Sequence, residues 1–86
     1  MTETEVYQEL RPLIFSIAYR MLGSVADAED ITQEAFLRYH RVVSDGAEIE
    51  SPKAFLSAVT TRLSIDQLRS ARSRHSSSRR PAGSGR

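Results

Sequence analysis

No cysteine occurs in the chain, so disulfides and thiolate-held metals are excluded and a reducing cytoplasm is the expected setting. Its two histidines, His40 and His75, stand far apart and lack ligand spacing, and no metal site is expected. No apolar run approaches the ~20 residues of a membrane span, and an acidic start with Glu3, Glu5 and Glu9 is unlike a signal peptide. Nor is there a glycine-rich phosphate loop, an H-E-x-x-H helix or a clustered His/Asp/Ser set. Catalysis therefore has no visible seat, and a binding module without cofactor is expected rather than an enzyme. The 86 residues allow one small domain. Chains of this size bury only about 60% of their unfolded surface and gain from a partner.

What the chain does have is charge, unevenly laid out. Through Glu50, ten acids stand against four arginines, a balance of −6. From Ser51 onward Asp66 is the single acid against eight basic residues, a balance of +7. The net charge of +1 thus joins an acidic half to a basic half. A basic surface suits a polyanion such as nucleic acid, whereas an acidic one suits a basic protein.

Periodicity places three helices. Val6, Leu10, Leu13, Ile14, Ile17, Ala18 and Met21 form one apolar stripe, which Pro12 either kinks or starts, and Gly23 suits the residue just past the end. Ser24 and Asp27 have capping-box spacing for a second helix, running to about residue 42 with Ala28, Ile31, Ala35 and Tyr39 on its buried side. Ser44-Asp45-Gly46 is turn chemistry inside a loop over residues 43–50. Ser51-Pro52 opens a third helix over about residues 52–73. On that helix Phe55, Leu56, Val59 and Leu63 share one face while Ile65 and Leu68 fall elsewhere, which predicts a helix packed between two others. The spans imply an all-α, three-helix domain over residues 4–74. A Ser/Arg/Gly-rich tail over residues 75–86 has no large apolar residue to bury and is expected to be disordered.

Two surfaces are candidates for function. If Ile31 and Ala35 face inward, Asp30, Gln33, Glu34 and Leu37 form an exposed strip at i, i+3, i+4 and i+7. From the residues alone this strip reads either as a solvated acidic helix start or as a docking strip for arginines on another protein. On the third helix Arg62, Arg69 and Arg72 lie within about 80° of one another at 100° per residue. They read as a phosphate-gripping face or as a solubilising one. Asp66, four residues after Arg62 and three before Arg69, is expected to bridge them. Phe15, Tyr19, Phe36 and Tyr39 sit at helical spacing and read as core, and His40 as a surface residue.

Four blocks carry a family resemblance. They are Ile17 to Gly23 (IAYRMLG), Asp27 to Phe36 (DAEDITQEAF), Ser51 to Leu56 (SPKAFL) and Arg62 to Arg69 (RLSIDQLR). In order and spacing they resemble conserved region 2 of bacterial sigma factors. The nearest type is the extracytoplasmic-function group, and within it the kind with a SnoaL-like C-terminal extension. The resemblance covers about residues 9–74 and implies a small helical domain that docks on the clamp coiled coil of the RNA polymerase β′ subunit. It further implies recognition and melting of the minus-ten promoter element on the non-template strand. Carried over by position, Asp30, Gln33 and Glu34, with Leu37 beside them, correspond to the polymerase-binding strip. Ser44, Asp45 and Glu48 fall in the loop that captures a flipped base, while Arg62, Asp66, Arg69 and Arg72 lie on the helix along the promoter. Phe55 and Arg62 depart from the tryptophan and asparagine of many relatives. The resemblance also implies a regulator outside these residues, either an anti-sigma factor or a C-terminal domain. Neither region 4 nor a SnoaL-like extension has a counterpart here. A free-standing DNA-binding module and a helical protein adaptor are the alternatives that the residues leave open.

Overall fold

The computed structural model describes residues 2–77, with side chains through Ser70. It is built from three helices, α1 (Glu3–Leu22), α2 (Val25–Ser44) and α3 (Pro52–Ser77), each touching both others. Among the described residues there is no strand, and no helix is long and apolar enough to cross a membrane.

Local chemistry explains each boundary. Thr2 caps α1 with a full capping box: its Oγ1 accepts from Glu5 N–H while the Glu5 carboxylate accepts from Thr2 N–H. The helix therefore begins well before Pro12 and continues through it, which rules out the second of the two alternatives at that proline, a helix start. Pro12 removes only the bond to the Gln8 carbonyl, and both residues lie on the exposed side. Gly23, at φ +70, ends α1 in the left-handed conformation with its N–H donating to the Tyr19 carbonyl.

Gly23 and Ser24 alone join α1 to α2, so the chain reverses into a helical hairpin. Ser24 accepts from Asp27 N–H, the first half of the expected capping box. Aspartate is one methylene shorter than the glutamate that makes the return bond at Glu5. At its other end α2 runs through Ser44, two residues past expectation. Gly46, at φ +95, then closes it: Gly46 N–H donates to the Val43 carbonyl and Ala47 N–H to that of Val42. Ser51 Oγ accepts from Ala54 N–H and starts α3.

One core cluster gathers Val6, Ile14, Ala35, Phe36, Tyr39 and Leu56, and a second gathers Ala18, Ala28 and Ile31. Small alanines at the seams let the backbones approach while Ile14 and Leu56 fill the centre. Phe36 and Tyr39 are core as expected, whereas Tyr19 is exposed and stacks on half-buried Phe15.

α3 seats on one face, along Leu56, Thr60 and Ser64, each fully buried. Ile65 and Leu68 stay on the open side, 40% and 39% exposed, so α3 lies in a groove and is not enclosed on two sides. It continues to Ser77 rather than stopping near residue 73. No glycine or proline falls between Pro52 and Pro81 to end it. The first three positions of the expected tail are thus helical, and the remainder lies outside the described residues.

Thr60 Oγ1 and Ser64 Oγ are buried without a hydrogen-bond partner. An unmet buried hydroxyl costs about 1–3 kcal/mol, whereas an apolar group of the same shape carries no such cost. Thr60→Val is therefore expected to raise the thermal midpoint, at about 4–8 °C per kcal/mol for a domain of this size. An unfolding scan that places the variant below the native chain would contradict this account of the seam.

Candidate functional site

The acidic strip lies on the outer side of α2, beside the groove between α2 and α1. Asp30, Gln33 and Leu37 are exposed and Glu34 is half-buried, while the inward neighbours Ile31, Thr32, Ala35 and Phe36 are buried. The helical register thus brings all four expected residues onto one rigid surface. Glu34 accepts from Arg38 Nε at 3.0 Å, an i,i+4 pair with each side chain about half exposed. Such pairs contribute about 0.3–0.5 kcal/mol, so Glu34 exchanges Arg38 for an arriving arginine at little cost.

The sequence reading missed the partner that α1 contributes. Tyr7 meets Phe36 edge to face at 4.8 Å between ring centres, and its hydroxyl accepts from Arg11 Nε at 3.1 Å. Together with Leu37 they floor a shallow groove of about 390 Å³, which Gln33 and Tyr39 also line. At its far end Glu3 Oε1 lies 2.6 Å from His40 Nδ1, tying the start of α1 to the end of α2. His40 Nε2 in turn lies 3.5 Å from Ser44 Oγ. The i to i+4 spacing of Glu3 and Tyr7 on α1 was open to view, but the pairing of the two helices in space was not.

The basic surface lies on α3 alone. Arg62, Arg69 and Asp66 are exposed and share a shallow concavity with Ser57, Ala58, Thr61 and Ile65. Asp66 forms no ion pair with Arg62 or Arg69, which corrects the expected bridge. On a solvated helix the entropy of fixing two long side chains offsets the small Coulomb gain. Both arginines are consequently unpaired among the described residues. Arg72 lies on the same helix, and its side chain is outside the described residues.

Ser44, Asp45 and Glu48 are all exposed, but Ser44 is the last residue of α2 and not part of the loop. Ile49 packs against the core and anchors the connection to α3. The structure does not gather these three with the arginines. At 1.5 Å per residue, Arg62 lies about 15 Å and Arg69 about 25 Å along α3 from Pro52. The loop precedes the start of α3, whereas the arginines lie in its middle and later turns. Phe55 is half-buried and packs on Tyr39, with ring centres 6.0 Å apart, so it serves the core. Among the described residues no three histidine or carboxylate side chains gather as a metal site.

An all-helical domain with an exposed acidic strip on α2 and a separate basic face on α3 is the class this geometry defines. The chain belongs to the sigma-70 region 2 family, whose model, Sigma-70 region 2, matches residues 6–74. It is 48% identical over 69 residues to the ECF RNA polymerase sigma factor SigJ of Mycobacterium tuberculosis H37Rv, covering 80% of this chain and 21% of that protein. It is 38% identical over 64 residues to the probable ECF RNA polymerase sigma factor SigI of the same strain, covering 74% and 21%. To the ECF RNA polymerase sigma factor SigW of Bacillus subtilis 168 it is 44% identical over 57 residues, covering 65% and 30%. The chain thus spans about a fifth of the length of the first two relatives. No solved structure matches it significantly. Sigma factors are transcription initiation factors and not enzymes.

Proposed function

We propose that this chain is the domain by which an extracytoplasmic-function sigma factor holds core RNA polymerase and engages the minus-ten promoter element. The observation that carries the reading is the separation of the two charged surfaces. The acidic groove is lined from α1 and α2, and the basic concavity from α3 alone. One domain can therefore hold a basic protein and a polyanion at once without either displacing the other.

Asp30, Gln33, Glu34 and Leu37 take the clamp coiled coil of the β′ subunit, with carboxylates meeting arginines and Leu37, 54% exposed, meeting an apolar side chain. Arg62, Arg69 and Arg72 follow the phosphates, and Asp66 beside them discourages a wrong register. Ser44, Asp45 and Glu48 border the place where a base leaves the stack. Asp45 and Glu48 supply acceptors for an exocyclic amino group such as that of cytosine. Flipping a base costs a few kcal/mol of stacking, which contacts to the extruded base offset. The finer kinship, to the type with a SnoaL-like extension, belongs to the same proposal, and reading the coding sequence downstream tests it.

The DNA half of the proposal predicts a particular salt response. Arg62→Ala with Arg69→Ala is expected to weaken DNA binding and to flatten the slope of log K against log salt by about 0.9 per lost duplex phosphate contact. Fluorescence anisotropy at several salt concentrations measures that slope. An unchanged slope would remove α3 from the DNA interface.

A further inference from the structure

We propose that Arg11 takes a carboxylate of the docked polymerase helix and so fixes the direction in which that helix lies on the domain. This inference rests on the reading of the α2 strip as the polymerase-docking surface, and it names a specificity-determining residue that α1 adds to it.

The observation is a cation set among acids without pairing to them. Arg11 is half-buried and shares a small cleft of about 170 Å³ with Tyr7, Glu29, Asp30, Thr32 and Gln33. Tyr7 and Gln33 line the larger groove as well, so the two are continuous. No other arginine or lysine lines either one, against the carboxylates of Glu3, Glu29 and Asp30. Yet Arg11 forms no ion pair among the described residues. Its Nε donates instead to the Tyr7 hydroxyl at 3.1 Å, and Tyr7 is braced edge to face on Phe36. The guanidinium is thereby held in place, and its two terminal nitrogens remain unpaired among the described residues.

An arginine kept only for solubility extends into water on a mobile stem. Half-burial and a fixed Nε cost side-chain entropy, which a bond to a neutral phenol offsets only in part. A planar fork already oriented, with free donors at its end, matches a carboxylate bidentately. The alternative is that Arg11 merely offsets the charge of Glu29 and Asp30 through space. That alternative predicts the opposite effect on docking, because a cation beside the strip repels a basic partner.

Position supplies the consequence. Asp30 and Glu34 stand on α2, and Arg11 stands across the groove on α1. A helix seated between them presents basic side chains on one flank and an acid on the other. Turned end for end with the same face down, it exchanges its flanks and sets like charge against like, which suppresses that arrangement. Along α1 the row continues from Arg11 to Phe15 and Tyr19, whose rings stack 6.0 Å apart, with Tyr19 exposed. Tyr7 to Tyr19 spans about 18 Å at 1.5 Å per residue, room for about three turns of a docked helix.

The probe is the clamp coiled-coil fragment of the β′ subunit, titrated against the native chain, Arg11→Ala and Arg11→Glu. Arg11→Ala is expected to bind about tenfold more weakly, the worth of one hydrogen bond to a charged group, although it removes a positive charge. Alanine favours helix, so circular dichroism should show an intact fold. A set of fragments, each with one carboxylate replaced by lysine, then finds the partner group. One member is expected to bind Arg11→Glu more tightly than it binds the native chain, an exchange of preference that a merely structural role does not produce.

Arg11→Ala that binds the fragment as tightly as the native chain, or more tightly, overturns the proposal. So does a fragment set in which no member prefers Arg11→Glu. A folded native chain that ignores the fragment defeats the parent reading instead, which separates that failure from this one.

Discussion

Leu56→Ala is expected to destabilise the domain by about 2–5 kcal/mol, the range for deleting a fully buried leucine. Leu56 is 0% exposed and shares a cluster with Val6 and Ile14 from α1 and with Ala35, Phe36 and Tyr39 from α2. It is the one large apolar side chain of α3 that is wholly enclosed, because its neighbours along the buried line are Thr60 and Ser64. Small domains sit toward the low end of the usual 5–15 kcal/mol, so the loss is a large part of the total. At about 4–8 °C per kcal/mol, the thermal midpoint falls by tens of degrees. Ile65→Ala on the opposite side of the same helix should leave it nearly unchanged. Thermal scans of the two variants side by side separate the docked face of α3 from its open face. Equal shifts would show that the docking has been assigned to the wrong side.

Asp30→Ala combined with Glu34→Ala is expected to abolish binding to polymerase while leaving the fold and the DNA affinity intact. The fold survives because Asp30 has no ion pair among the described residues and Glu34 has only the exposed Arg38. Binding fails for two reasons. Truncating one member of an interfacial charge pair costs about 2–5 kcal/mol, so two such losses weaken binding about a thousandfold or more. Releasing Arg38 also adds a positive charge to a strip that must meet a basic partner. Glu34→Gln in place of alanine should recover part of the affinity, since an amide still accepts from arginine without the charge.

Much of this was legible in the chain. Gly23 and Ser51-Pro52 mark boundaries because one residue tolerates a left-handed backbone and the other pair starts a helix. The strip from Asp30 to Leu37 follows from the 3.6-residue period once Ile31 and Ala35 are set inward. The Thr2 capping box is equally visible as T-x-x-E, and it marks the start of α1 ten residues before Pro12. The register of α3 was harder, since Thr60 and Ser64 read as polar but line its buried face. Small hydroxyl residues fit where backbones come close, and pattern alone does not reveal which face that is.

The contacts between helices were out of reach for a different reason. Tyr7 and Phe36 are 29 positions apart in sequence, and Glu3 and His40 are 37 apart. Local periodicity places each residue on a face without saying which faces meet. The expected Asp66 bridge failed for a physical reason too: i,i+3 and i,i+4 spacing permits an ion pair without making it favourable in water.

On the proposed function, the acidic strip on α2 is the polymerase-docking surface and works independently of α3. Titration of the chain with a purified clamp coiled-coil fragment of the β′ subunit, beside the Asp30→Ala/Glu34→Ala variant and with DNA affinity measured on both, tests it most directly. The account predicts that the native chain binds the fragment, that the variant does not, and that both bind DNA equally. A folded native chain that ignores the fragment, or a variant that binds it as tightly as the native chain, would contradict it.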